Sequence, residues 1–187
     1  MNTDKMQKQK NISHGLRWGV IIGFVYAALL FLRYDQGENN ALMFSVWTFA
    51  GYVIVLLLLL MCGIKRKKQE GGFIELKDAF QTMFMAVIGF EFLYMAFNFL
   101  YLKYINPDFF QHFKDSMETL LQKGNIPQSQ IDEKLESFDA ESARRMNLGS
   151  SFLSFAYAIV TSGIFALLFA LLIKKKRQPF DTLPENN

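Results

Sequence analysis

The sequence predicts an all-α, polytopic membrane protein with four transmembrane helices, and three observations predict it. Hydrophobic residues fill 51% of the 187 positions, with 20 Phe among them. They gather in four uninterrupted runs, each long enough to cross a hydrocarbon core of about 30 Å. The Lys and Arg residues cluster at the ends of those runs. A soluble domain of this length has too little interior to hide so much apolar surface, so the excess must face something other than water.

The runs are 16–32, 41–64, 80–102 and 148–173. Backbone polar groups in lipid must be satisfied within their own segment, which makes each run a helix. The first follows Lys5, Lys8 and Lys10 as a signal peptide would. No small-x-small cleavage site followed by a polar start lies near its end, so it reads as a retained span. The net charge of +3 is small, and the basic residues sit beside apolar runs rather than along a polar face. Lipid headgroups explain that pattern, and nucleic acid is not an expected partner. The single cysteine, Cys62, lies inside a run, where it reads as a small packing residue.

Orientation follows from the distribution of Lys and Arg, because basic loops stay on the cytoplasmic side. Thirteen lie in the N-terminus, the second connection and the tail, including the clusters Lys65 to Lys68 and Lys174 to Arg177. The first and third connections hold seven, from Arg33 and Lys103 to Arg144 and Arg145. Both termini are therefore expected in the cytoplasm, with 174–187 as a cytoplasmic tail. Aromatic residues agree: Trp18 marks the inner headgroup level, and Tyr34, Tyr101 and Tyr104 the outer one.

The connection 71–79 mixes apolar and charged residues after Gly71 and Gly72, and is expected to lie in the inner interface. Between the third and fourth spans, residues 103–147 carry eight acidic and six basic side chains. Their apolar residues recur at helical spacing: Phe110, Phe113, Met117 and Leu120 form one stripe, and Ile131, Leu135 and Phe138 another. Asn106 and Pro107 signal a helix start, Gly124, Asn125 and Pro127 a break, and Ser129 a second cap. The spacing predicts an extracytoplasmic αα-hairpin over 107–146. Its stripes could bury each other, lie on the membrane or await a partner protein.

Glu91 falls at the middle of the third span, where even mild insertion scales charge about 2.5–3.5 kcal/mol for an ionised side chain. Such a group needs a proton or a partner. At about 100° per residue, Tyr94, Asn98 and Tyr101 share a sector beside it. The fourth span offers Ser150, Ser154, Tyr157 and Thr161 at steps of four, three and four residues, and the two polar stripes are expected to face each other. The arrangement serves either as a hydrogen-bonded network that fixes helix register or as a proton, ion or ligand site. Gly15, Gly19, Gly23 and Ala27 repeat every fourth residue, a ladder that lets another helix approach closely, whether internal or from a second copy.

Catalytic constellations are absent: His14 and His112 fall on opposite membrane faces, and Gly71-Gly72 lacks the motif of a phosphate loop. No metal or cofactor is expected, and no enzyme activity.

A span ending in Lys and Arg, then Gly71-Gly72-Phe73-Ile74 leading through Lys77-Asp78-Ala79-Phe80, then Tyr104-Ile105-Asn106-Pro107-Asp108 before an acidic loop, resembles the domain of unknown function 4199 family. The resemblance covers about residues 12–176. It implies a bacterial four-helix inner-membrane protein of the kind typical of the Bacteroidota, and supplies no activity, ligand or catalytic residue. The function expected first is a non-enzymatic scaffold or accessory subunit that engages a membrane protein partner, or a second copy, through the hairpin or the glycine face. The alternative is a small transporter or ion-conducting protein centred on Glu91.

Overall fold

A computed structural model describes residues 2–145 and 147–175. It contains six α-helices: α1 (Asn2–Gly37), α2 (Ala41–Gln69), α3 (Leu76–Leu100), α4 (Phe109–Lys123), α5 (Gln128–Arg145) and α6 (Leu148–Ile173). A π-turn, Tyr101–Ile105, extends α3. Helices α1, α2, α3 with its extension, and α6 are each long and apolar enough to cross a membrane. They form an up-and-down bundle whose hairpin end carries α4 and α5 and whose terminal end carries the start of α1 and the end of α6.

Local chemistry sets the boundaries. The Asn40 side chain accepts from the amides of Leu42 and Met43 at 3.1 and 3.2 Å and starts α2, while Asn147 accepts from Gly149 at 2.8 Å and starts α6. Gly71 and Gly72 take positive φ values of 73° and 88°, which end α2.

Several boundaries correct the sequence reading. Helix α1 continues through Arg33 to Gly37, so Arg33 belongs to the helix and not to a connection. Helix α3 begins at Leu76, inside the 71–79 connection, and Ile74 pairs with Lys175 through two backbone bonds of 2.9 Å, which tie that connection to the end of α6. Helix α4 starts at Phe109, and α5 at Gln128, ahead of Ser129. Of the expected tail 174–187, residues 176–187, with Lys176 and Arg177, lie outside the described residues, as does Met146.

The bundle is organised around α1 and α3, which run parallel. A Cβ on Gly15 would stand 2.2 Å from the Thr82 carbonyl oxygen, and one on Gly19 would stand 2.8 Å from that of Ala86. The glycine ladder is thus an internal seam, with backbone against backbone. Helix α6 joins through its small residues Gly163, Ala166 and Ala170, all in its terminal half. There Ile22, Leu59, Cys62, Met83, Val87 and Ala166 form a core that water does not reach.

Polar contacts lock the terminal end. Asn11, fully buried, donates to Asp78 at 2.7 Å and accepts from Arg66 Nε at 2.8 Å; Arg66, itself buried, also pairs with Glu70 at 2.7 Å. Aromatic rings lock the hairpin end. Tyr34 stacks on Tyr101 at 4.7 Å between centroids, and Phe109 meets Tyr34 edge-on at 4.6 Å. Tyr34 and Tyr101 are therefore buried beneath the hairpin. The two hairpin stripes close on each other, with Phe113 5.5 Å from Phe138, and on the bundle below, with Phe113 4.6 Å from Phe44.

Candidate functional site: a charged cavity in the hairpin half

Between α1, α2, α3 and the hairpin-side half of α6 lies a cavity of about 320 Å³. Its lining includes Arg33 from α1, Thr48 and Tyr52 from α2, Glu91, Tyr94 and Asn98 from α3, and Ser151 and Ser154 from α6. Glu141 of α5 stands with them at the hairpin side.

Glu91 is 6% exposed, and its Oε1 accepts from the Ser162 hydroxyl at 2.6 Å. Ser162, absent from the expected stripe, is thus the hydroxyl that reaches the acid. Two of the expected partners are corrected: Tyr157 is 67% exposed, and Thr161 is exposed as well. The cause is the phase of α6, fixed by Gly163, Ala166 and Ala170 against the bundle. At about 100° per residue, Ser162 falls beside that inward face and Tyr157 nearly opposite it. Ser154 reaches the cavity only at its rim, and Ser150 is half-buried outside its lining.

On α3 the expected sector holds together. Tyr94 stacks on Tyr26 at 4.6 Å, Asn98 accepts from the Tyr34 hydroxyl, and Tyr101 turns into the aromatic cluster. Ala27, the last small residue of the ladder, is half-buried, above the tight part of the seam.

The component that sequence reasoning missed is Arg33. It is 6% exposed, its Nη2 donates to the Tyr34 hydroxyl at 3.1 Å, and its guanidinium lies 4.8 Å from the Tyr34 ring centroid and 4.9 Å from that of Phe44. Such packing over aromatic faces suits a desolvated cation. Its Nε has no hydrogen-bond partner. A signal was present: Asn11, Gly15, Ile22, Tyr26 and Arg33 follow one another at steps of four and seven, one face of a continuous helix.

Arg33 and Glu91 are not paired with each other; each bonds to a neutral hydroxyl. The α1–α3 register, with Gly15 against Thr82 and Tyr34 against Asn98, puts Glu91 level with about residue 24 of α1. That is nine residues below Arg33, about 13 Å along the helix axis at 1.5 Å per residue. The arginine side chain leans back toward the start of its helix and shortens that gap. Toward the terminal end, Phe90, Val87, Met83 and Leu59, all under 2% exposed, close the floor. The cavity is a blind vestibule with a cation toward its hairpin end and an acid at its base.

The two histidines stay apart from it. His14 Nε2 lies 3.3 Å from the Cys62 carbonyl oxygen at the terminal end, and His112 contacts Glu38 at the hairpin end. Among the described residues, no group of three or more His, Cys, Asp or Glu side chains is disposed to hold a metal.

Comparison with curated proteins and with solved structures returns no match in either set. Residues 17–175 match the family described as protein of unknown function (DUF4199), a stretch that runs from the basic flank of the first span to the last described residue, and the chain belongs to that family.

Proposed function

We propose that this is a small, non-enzymatic transporter that takes a charged solute into the vestibule between Arg33 and Glu91. The observation that carries the reading is the presence of a buried arginine and a buried carboxyl group, not paired with each other, on the wall of one cavity. Charged groups at such depth are expensive and mark ligand or ion pathways. The scaffold reading loses its motivation, because the glycine face is spent on α3 and the hairpin stripes on each other and on Phe44. A narrow cavity with polar walls is also what a four-helix chain needs to conduct a solute without building a pore from several copies.

The same reading places the protein in a bacterial inner membrane with both termini cytoplasmic and the vestibule open to the outside. The apolar floor then makes the described form outward-open and inward-closed, and passage requires that floor to part. Lipid contacts the exposed apolar side chains of α2 and α6, such as Phe49 and Leu172.

The test uses Cys62 as the only native thiol. In a Cys62→Ala background, Thr48→Cys and Ser154→Cys should react with a membrane-impermeant cationic thiosulfonate added outside, and Leu59→Cys should not. Failure of Thr48→Cys to react from either side would remove the solvent-connected vestibule on which the proposal stands.

A further inference from the structure

The charge arrangement names the class of solute, and the inference rests on the reading of the vestibule as a solute site. We propose that the ligand is a small zwitterion, held with its carboxylate on Arg33 and its ammonium group against Glu91.

Three observations converge on that class. First, Arg33 is nearly enclosed, yet its Nε donates to nothing and its Nη2 donates to the neutral phenol of Tyr34, with no carboxylate among the described residues bonded to the guanidinium. A guanidinium carries five N–H donors in a planar fork that matches a carboxylate. Because Phe44 and Tyr34 hold its faces, what remains for a ligand is the edge of the fork. Second, Glu91 accepts a single bond from Ser162 through one oxygen while it lines the same cavity, so its carboxyl has acceptor capacity left for an incoming donor. Third, the wall between the two charges is neutral: Thr48, Tyr52 and Tyr94 offer hydroxyls and ring faces but no counter-ion.

A simple anion drawn to Arg33 would leave Glu91 unmatched. A simple cation drawn to Glu91 would leave Arg33 unmatched. A molecule with both charges satisfies both ends and adds none to the cavity. The tyrosine faces favour the ammonium end on its way to the base. Volume limits size: about 320 Å³ is roughly ten water volumes, too small for a nucleotide or a lipid and suited to a compact amino acid. The axial offset of the two charges favours a solute whose amine and acid are separated by several bonds.

The experiment measures protection of Thr48→Cys, in the Cys62→Ala background and in reconstituted vesicles, from the impermeant thiosulfonate. The probes are 4-aminobutyrate, 6-aminohexanoate, butyrate and n-butylamine at equal concentration. At least one of the two zwitterions should slow labelling tenfold or more, and butyrate and n-butylamine less than threefold. Glu91→Gln should remove the advantage of the zwitterion over butyrate. Equal protection by butyrate would overturn the proposal in favour of a plain anion site, and equal protection by n-butylamine in favour of a cation site. Rapid labelling that no probe slows would refute the solute class while leaving the open vestibule intact, whereas absence of labelling refutes the vestibule itself. Arg33→Gln, checked for folding by circular dichroism, should abolish protection by every carboxylate probe; retained protection counts against the assignment of that end.

Discussion

Replacing Gly15 with Ala adds one methyl group, and the surroundings of that methyl decide its effect. The new Cβ would lie 2.2 Å from the carbonyl oxygen of Thr82, against 3.4 Å or more for ordinary contact. A carbonyl in the middle of a helix has no rotamer to escape into, so α1 and α3 must separate by about 1 Å locally. A gap of that size forfeits a quarter to a half of the dispersion well for each facing atom pair, and overpacking of this kind costs about 1–3 kcal/mol. The helix propensity of Ala over Gly returns about 1 kcal/mol. Net destabilisation of about 0–2 kcal/mol follows. Gly51 on α2 supplies the control, since its added Cβ would meet only Tyr26 Cε2 at 3.7 Å, so Gly51→Ala should keep the propensity gain and lose nothing. The two variants should therefore differ by about 1–3 kcal/mol, roughly 5- to 150-fold in the unfolding equilibrium at 1.4 kcal/mol per tenfold. Reversible unfolding in mixed micelles, followed by circular dichroism as the denaturing detergent fraction rises, measures that difference. If Gly15→Ala proved as stable as Gly51→Ala, the seam would not be the close contact described, and the internal use of the glycine ladder would be wrong.

Three further outcomes follow from the same contacts. Tyr34→Phe removes the hydroxyl that stands between Arg33 and Asn98 and should cost about 1–3 kcal/mol by thermal unfolding; an unchanged melting temperature would deny that the relay is formed. Asn11→Leu strands both Arg66 Nε and Asp78 at the terminal end, so a cycle of Asn11→Leu with Arg66→Met should show a coupling of about 1 kcal/mol or more, and strict additivity would mean the two side chains do not interact. Phe109→Ala empties the centre of the aromatic cluster under the hairpin and should cost about 3–5 kcal/mol locally. Hydrogen exchange should then accelerate in α4 and α5 while the α1–α3 seam stays protected, and uniform acceleration would show that the hairpin is not a separable unit.

Much of this architecture is legible in the sequence because its signals are local. Run length marks the four long helices, and 3.6-residue periodicity together with Gly124, Asn125 and Pro127 marks the hairpin. The glycine ladder is visible, but its mate is not, because spacing on one helix carries no information about which helix lies opposite. The site is legible in part. Glu91 stands out by its depth, and the Tyr94 and Asn98 side of α3 follows from helical rotation. The facing residues of α6 were misplaced because a polar stripe is a weaker guide to phase than the small residues that set closest approach; Gly163, Ala166 and Ala170 turn Ser162 inward and Tyr157 out. Arg33 was hidden by the hydropathy boundary itself. A charge one residue past an apolar run reads as a loop residue, whereas the helix continues for another turn beneath α4.

The cavity follows from how unevenly side-chain size is distributed along the bundle. In the terminal half every helix contributes small residues at the contact: Gly15 and Gly19 on α1, Gly63 on α2, Ala79 and Ala86 on α3, Ala166 and Ala170 on α6. There the axes draw together and the interior is dry. In the hairpin half the same faces carry Tyr26, Arg33 and Tyr34 on α1, Phe44 and Tyr52 on α2, and Tyr94 on α3, while the hairpin-side half of α6 buries no residue fully. Large side chains hold the helices apart, and α6, which buries no residue fully there, leaves the space beside Glu91 unfilled. Filling that space apolarly would have been the stabilising choice for a protein with only a structural role, since packed hydrophobic residues usually serve stability as well as or better than buried charge. The chain instead sets an arginine and a glutamate on its wall, unpaired with each other, which is the arrangement that the proposed solute site calls for.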